Sequence, residues 1–312
     1  ASLVRFVGMF AFALYDRDAR QLLLARDALG IKPLYYQTGE EVLFASELRA
    51  ILRAGGDATP SRTAIYDFLS LERFDHNETT FFAGIQQLQP GHFIRMDVDE
   101  PKSIVQIPYW NPTPEGARAT FDYARPVETF KDLFDDSVRL QLRSDVPLGI
   151  FLSGGLDSSA IVESATRQST QTLQSFSVNF DDDGFDETAF ASQIAETYGT
   201  HHHRLTPDAT VLRDQLGDFV AAQETPTNGP GPFSEWCVAQ LAATHVKVAL
   251  SGQGPDEMLG GYHLYFLPYL HTRMRQLDEQ GQRVGWRRLL GEARRIGSLT
   301  GRHWSIYLAA AI

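Results

Sequence analysis

Ser153-Gly154-Gly155-Leu156-Asp157-Ser158-Ser159 lies between an apolar run, Leu148-Gly149-Ile150-Phe151-Leu152, and an apolar-periodic segment opened by Ala160-Ile161-Val162. The pattern reads as strand, small-residue loop, helix. Such a loop presents backbone N–H groups and hydroxyls at a helix N-terminus, where the dipole favours an anion. Glycine lets the backbone approach that anion closely, because no Cβ intervenes. A phosphate or pyrophosphate is the anion expected. The loop has no Lys, so the Walker arrangement G-x-x-x-x-G-K-S/T is not met. A Ser/Gly turn that only capped a helix would need neither Asp157 nor the two serines after it.

The surrounding segments alternate in the same way. Phe130, Leu133, Phe134, Val138 and Leu142 fall at helical spacing within residues 127–143. The strand over 148–152 is followed by a helix over 157–168, a strand over 173–180 and a helix over 186–198 closed by Gly199. A strand at 202–205, helices at 208–222 and 233–245, and a buried strand at 246–250 complete the series. Alternation of this kind predicts an α/β parallel sheet with helices on both faces. Ligands of such sheets bind beyond the carboxyl ends of the strands.

A second small-residue loop, Ser251-Gly252-Gln253-Gly254-Pro255-Asp256-Glu257, leaves the strand at 246–250 and leads into Met258-Leu259-Gly260-Gly261-Tyr262. Paired carboxylates beside a phosphate site point to Mg²⁺, which takes one or two carboxylates plus phosphate oxygens. Asp157 and Asp256 are the metal candidates, one from each loop. The plainer alternative is that Asp256 and Glu257 merely favour a helix N-terminus.

Residues 1–95 read as β-rich α+β. The apolar runs at 9–15 and 21–26 flank Asp16-Arg17-Asp18, which predicts a hairpin. Short strands follow at 34–36 and 42–45, then helices at 47–52 and 61–70, the second begun by Ser61, then a strand at 92–96 after Pro90-Gly91. Pro108, Pro112, Pro114, Gly116 and Pro126 mark a stretch of weak periodicity. The expected division is a domain over 1–107, a linker over 108–126 and a second domain over 127–312.

The chain of 312 residues is 43% hydrophobic and 21% charged, a globular composition. No apolar stretch approaches the ~20 residues that span a bilayer, and the first residues lack a secretory pattern. A net charge of −11 argues against a nucleic-acid partner. The arginines at 273, 275, 283, 287, 288, 294, 295 and 302 form the one basic region, read as a solvated helix face. The single cysteine, Cys237, excludes an internal disulfide and suits the cytoplasm; among Val238 and Leu241 it reads as a buried structural thiol. His201-His202-His203 reads as a strand start rather than a metal site, since no further ligand stands at the right spacing. Asp181-Asp182-Asp183-Gly184 lacks the distal Glu of a Ca²⁺ loop and reads as a solvated turn.

The first loop resembles the pyrophosphate loop of the enzymes that cleave ATP to AMP and pyrophosphate. The two loops together resemble the glutamine-hydrolysing asparagine synthase family, whose pattern is S-G-G-x-D-S-S followed later by S-G-E/Q-G-x-D-E-x-x-x-G-Y. The first segment agrees independently. Residues 8–16, 26–36 and 44–47 look like the latter part of a class II glutamine amidotransferase domain.

The resemblance implies ATP and Mg²⁺ as cofactors, with aspartate and ammonia or glutamine as the other small-molecule substrates. It implies no nucleic-acid or membrane partner, and a homodimer as the assembly to test. Leu152 and Val178 would contact the nucleotide near its base and ribose. Ser153, Gly154, Gly155, Asp157, Ser158 and Ser159 would hold the pyrophosphate, and Ser251 and Gly252 would face the α-phosphate. Asp157 and Asp256 would hold the metal. Gln253 and Glu257 are the candidate catalytic residues. The alternatives are a related adenylate-forming amide ligase, such as one closing a β-lactam ring, and an inactive nucleotide-binding fragment.

The chain also departs from the family. Residue 1 is Ala, where the family's glutaminase uses an N-terminal Cys whose α-amino group serves as base. The glutamine-binding segments that precede the 9–15 region in the family are missing, and after Lys247 there is no lysine. An internal portion of a longer protein is expected, without glutaminase activity of its own. Gln253 stands where many members have Glu, a position linked to the second half-reaction. Gln hydrogen-bonds but does not act as a base.

Overall fold

The computed structural model describes residues 2–39, 41–99, 104–112, 122, 124–179, 188–262, 265–266, 268–272, 291 and 294–295. The Asp181-Asp183 turn and most of the arginine-rich region lie outside the described residues.

The chain opens on the expected hairpin. β1 (Ala11–Asp16) and β2 (Gln21–Arg26) pair antiparallel, Ala11 opposite Arg26 and Asp16 opposite Gln21. Asp16 Oδ1 accepts the N–H groups of Asp18 and Ala19 and so builds the turn. β3 (Tyr35–Gln37) and β4 (Leu43–Ala45) precede α1 (Leu48–Arg53) and α2 (Arg62–Leu71). Ser61 caps α2, its Oγ accepting the Ala64 N–H at 3.3 Å. β5 (Gln86–Gln87), β6 (His92–Asp97) and β7 (Gln106–Pro108) follow.

Two antiparallel sheets result, in the orders β1-β2-β6-β7 and β4-β3-β5. Alternate residues of β2 and β6, Leu22, Leu24, Ile94 and Met96, bury one face against Leu34, Tyr36 and Leu88. Neither β5 nor β7 is visible as a strand in the sequence. They are two and three residues long, and β7 ends in proline. Pairing makes them strands: Gln106, in β7, donates its side-chain amide to Gln87 O and accepts from Gln89 N.

Asp27 explains the turn after β2. Its carboxylate, 1% exposed, accepts backbone N–H groups from Phe10, Leu29, Ile31 and Lys32. The neighbouring Arg26 guanidinium donates to the carbonyls of Gly30, Lys32 and Leu88. Together these two side chains satisfy polar backbone that the irregular 27–34 segment leaves unpaired.

In the second half α3 (Pro126–Gln141) leads to β8 (Leu148–Phe151), α4 (Leu156–Gln168), β9 (Gln174–Val178), α5 (Thr188–Tyr198) and β10 (His201–Leu205). Then come α6 (Ala209–Gln223), α7 (Gly231–Ala243), β11 (Val248–Leu250) and α8 (Pro255–Leu259). The four strands are parallel, in the order β10-β9-β8-β11. Ile150 and Leu152 pack with Val138, Ile161, Val162, Ala191 and Ala195 from α3, α4 and α5. Phe151, Phe176 and Val178 pack with Val238 and Ala242 from α7. Adjacent strand residues thus enter different clusters, as a sheet covered on both faces requires. Gly149 has a specific reason: a Cβ there would lie 2.5 Å from the Phe176 ring on the neighbouring strand. Among the described residues no helix is long and apolar enough to cross a membrane.

Candidate active site

The strand order fixes where the site lies. The chain runs from β8 to β9 to β10 in one direction, then returns to add β11 on the other side of β8. The crossover direction therefore reverses between β8 and β11, and the loops leaving their carboxyl ends diverge around a crevice. Those loops are the two small-residue segments singled out in the sequence.

The first loop is tied by its own hydroxyls. Ser153 Oγ accepts the Gly155 N–H at 3.2 Å and lies 3.0 Å from Ser158 Oγ. Ser158 is buried, and Gly154 has φ +87°, a conformation that favours glycine. Gly155 then caps α4, whose first turn carries Asp157 and a Leu156 side chain that is 86% exposed. The second loop touches the first. A Cβ at Gly252 would lie 3.1 Å from Ser158 N and 3.4 Å from Asp157 Cβ. Glycine at 252 is therefore what lets the two loops close on one another.

Charge gathers at this contact. Burial, and then the carboxylates of Asp256 and Glu257, push the Asp157 carboxyl above its ordinary range. Glu257 accepts the Tyr262 hydroxyl at 3.0 Å, which raises the tyrosine's pKa. Among the described residues no set of three His, Cys, Asp or Glu forms a ready metal cage. The donor set still fits Mg²⁺, which needs only one or two carboxylates when phosphate oxygens supply the rest.

The predicted site residues divide into two groups. Ser153, Gly154, Gly155, Asp157, Ser158, Ser159, Ser251, Gly252, Gln253, Asp256 and Glu257 all lie on the two loops or on the helix starts they feed. Leu152 and Val178 stand apart. The Leu152 side chain is buried in the α3–α5 cluster, and its carbonyl accepts the Ser177 hydroxyl. Val178 packs in the α7 cluster. The sequence reading missed Glu235, on α7, which accepts a hydrogen bond from Gln253 Nε2 at 2.9 Å. Eighteen residues separate the pair, and the packing of α7 on β9 and β10 brings them together. Cavities of 560 Å³ beside α1 and α6 and 540 Å³ beside Trp110 involve neither loop.

The glutamine amidotransferase domain pattern matches residues 1–110, and the asparagine synthase pattern matches residues 129–311. The chain belongs to the asparagine synthase family. This family member is 35% identical over 264 residues to asparagine synthetase [glutamine-hydrolyzing] 1 of Bacillus subtilis, covering 84% of this chain and 40% of that protein. It is 30% identical over 286 residues to a putative asparagine synthetase [glutamine-hydrolyzing] 2 of Methanocaldococcus jannaschii, covering 90% of this chain and 54% of that protein. It is also 29% identical over 276 residues to amidase chry2 of Gibberella zeae, covering 83% of this chain and 40% of that protein. The chain thus spans about half or less of the length of these relatives. The asparagine synthase family member keeps both loops within the matched range, on adjacent strands of one parallel sheet.

Proposed function

We propose that the protein carries out ATP-dependent amidation of L-aspartate to L-asparagine through an aspartyl-adenylate, releasing AMP and pyrophosphate. In the intact protein the ammonia comes from glutamine. The observation that supports this reading is the close approach of Gly252 to Ser158, with two small-residue loops and three carboxylates at one crevice. Ser153, Gly154, Gly155, Ser158 and Ser159 would hold the pyrophosphate through N–H groups and hydroxyls at the start of α4. Ser251 and Gly252 would face the α-phosphate, while Leu152 and Val178 would serve the nucleotide only from the sheet edge.

Asp157 and Asp256 are the residues that would hold Mg²⁺. When bound, the metal would neutralise phosphate charge and offset the carboxylate repulsion that adds to burial in raising the Asp157 pKa. No side chain of the synthetase half need act as a nucleophile. Positioning and charge neutralisation supply the rate.

The substrate carboxylate attacks the α-phosphorus, and pyrophosphate leaves. Ammonia then displaces AMP. The test is a screen for pyrophosphate release across amino acids, with ATP, Mg²⁺ and ammonium. Release with aspartate and formation of asparagine are expected. Release only with another acid would replace aspartate while keeping the adenylate chemistry, the outcome of the β-lactam-type alternative. An inactive nucleotide-binding fragment would bind ATP with Mg²⁺ and yield no AMP.

A further inference from the structure

Gln253 occupies the centre of the second loop, and its side chain has one protein partner among the described residues, Glu235. The loop itself is held locally, Gln253 N donating to Ser251 Oγ at 3.3 Å. The amide is neutral and accepts no proton, so position 253 alone offers no base. The carboxylate it donates to does. Glu235 makes no ion pair among the described residues, and only one of its oxygens is engaged.

Three other described carboxylates gather at the crevice. Asp157 and Asp256 are the metal candidates, and Glu257 accepts the Tyr262 hydroxyl. Glu257 also keeps one oxygen open, but Glu235 is the described carboxylate that the Gln253 amide donates to, with its other oxygen open and its side chain exposed to solvent that can later take its proton.

We propose that Glu235 is the general base of the amide-forming step, with Gln253 as the residue that positions it. This rests on the adenylate reading of the site. Ammonia attacks the acyl carbon and the C–N bond forms. The acyl C–O bond breaks, and its electron pair leaves on the phosphate oxygen of AMP. The surplus proton on nitrogen passes to the free oxygen of Glu235 and then to water. The division of labour is chemical: the amide at 253 supplies geometry, and the carboxylate arriving from α7 supplies basicity.

The experiment separates the two half-reactions. Adenylate formation is read as aspartate-dependent exchange of labelled pyrophosphate into ATP, and amide formation as asparagine made from ammonium. For Glu235→Gln the amide-forming rate should fall by about 10²-fold or more, the worth of a positioned base. Exchange should fall far less, and its persistence shows that the variant is folded. The exchanged pair Glu235→Gln with Gln253→Glu returns a carboxylate to the same hydrogen bond and should recover much of the amide formation. Undiminished amide formation in Glu235→Gln, or equal loss of both half-reactions, overturns the assignment. So does an exchanged pair no better than the single variant. If the unaltered protein shows neither exchange nor pyrophosphate release with any acid, the ligase reading fails, and the base assignment falls with it.

Discussion

Glu224 holds the first turn of α1 from the other half of the chain. Its carboxylate accepts the N–H of Leu48 at 2.7 Å and of Arg49 at 3.0 Å. The residue sits just past α6 in a left-handed conformation, φ 58°, which turns its side chain back across the interface. That side chain is only 12% exposed, while the Arg49 guanidinium beside it also pairs with Glu47. Two otherwise unpaired helix N–H groups are thus satisfied by a charge more than 170 residues away in sequence.

Removing that carboxylate tests the contact. Glu224→Ala leaves two amides without their charged acceptor, at a cost of about 2–4 kcal/mol. Hydrogen exchange at Leu48 and Arg49 should accelerate selectively, ahead of the β2 and β6 core. Unchanged protection at those two amides would show that α1 does not depend on the second half of the chain.

The two-loop metal site makes a different demand. Asp157→Asn and Asp256→Asn should each lower Mg²⁺-dependent ATP cleavage strongly, about 10²-fold, because a neutral amide is a poor ligand for a hard cation. Ser158→Ala removes one hydroxyl and should weaken nucleotide binding by roughly 1–3 kcal/mol. The measurement is pyrophosphate release at several Mg²⁺ concentrations. Near-normal activity in both aspartate variants would separate the carboxylates from the metal.

The parallel sheet was legible in the sequence because strands such as those at 148–152 and 246–250 read as apolar runs that end in small-residue loops. Loops at strand ends follow from that pattern, and so did the gathering of Asp157, Asp256 and Glu257. Short strands were not legible. β5 and β7 owe their extended backbone to neighbours, and nothing in Gln86-Gln87 or Gln106-Ile107-Pro108 announces pairing. The same limit hid Glu235 and Glu224. Each acts on a residue distant in sequence, and a lone glutamate in or just after a helix carries no local sign of its partner.

Histidines on the far part of the sheet predict a pH response. The rings of His203 and His245 have centroids 3.9 Å apart, and His203 also stacks on buried Phe176. His203 Nε2 lies 2.7 Å from Gln174 Oε1. Burial, and then the neighbouring His245 and His201, lower the His203 pKa below its ordinary value; burial lowers that of His202. Folding thus favours the neutral rings, and their contribution is complete above the unfolded-state pKa of about 6.5. It is lost as pH falls from there through the lowered folded value, where the unfolded chain binds more protons. Thermal unfolding at pH 7.5 and 5.5 should show a falling midpoint, and His203→Asn should shrink the difference. An equal difference in both proteins would place the acid sensitivity elsewhere.

The last prediction concerns glutamine. Release of ammonia from a carboxamide needs an activated nucleophile and donors for the oxyanion. The one cysteine of the 312-residue sequence is Cys237. It lies on α7, 1% exposed, and burial pushes its thiol pKa up, away from the thiolate that would attack. The purified 312-residue chain should therefore form no glutamate from labelled glutamine, and any amide it makes should depend on added ammonium. Glutamate above the buffer blank, in protein free of host amidotransferase and unchanged by Cys237→Ala, would reveal a nucleophile other than cysteine in the amidotransferase portion. Glutamate abolished by that substitution would instead bring Cys237 out of the core and into chemistry, against the packing that now surrounds it.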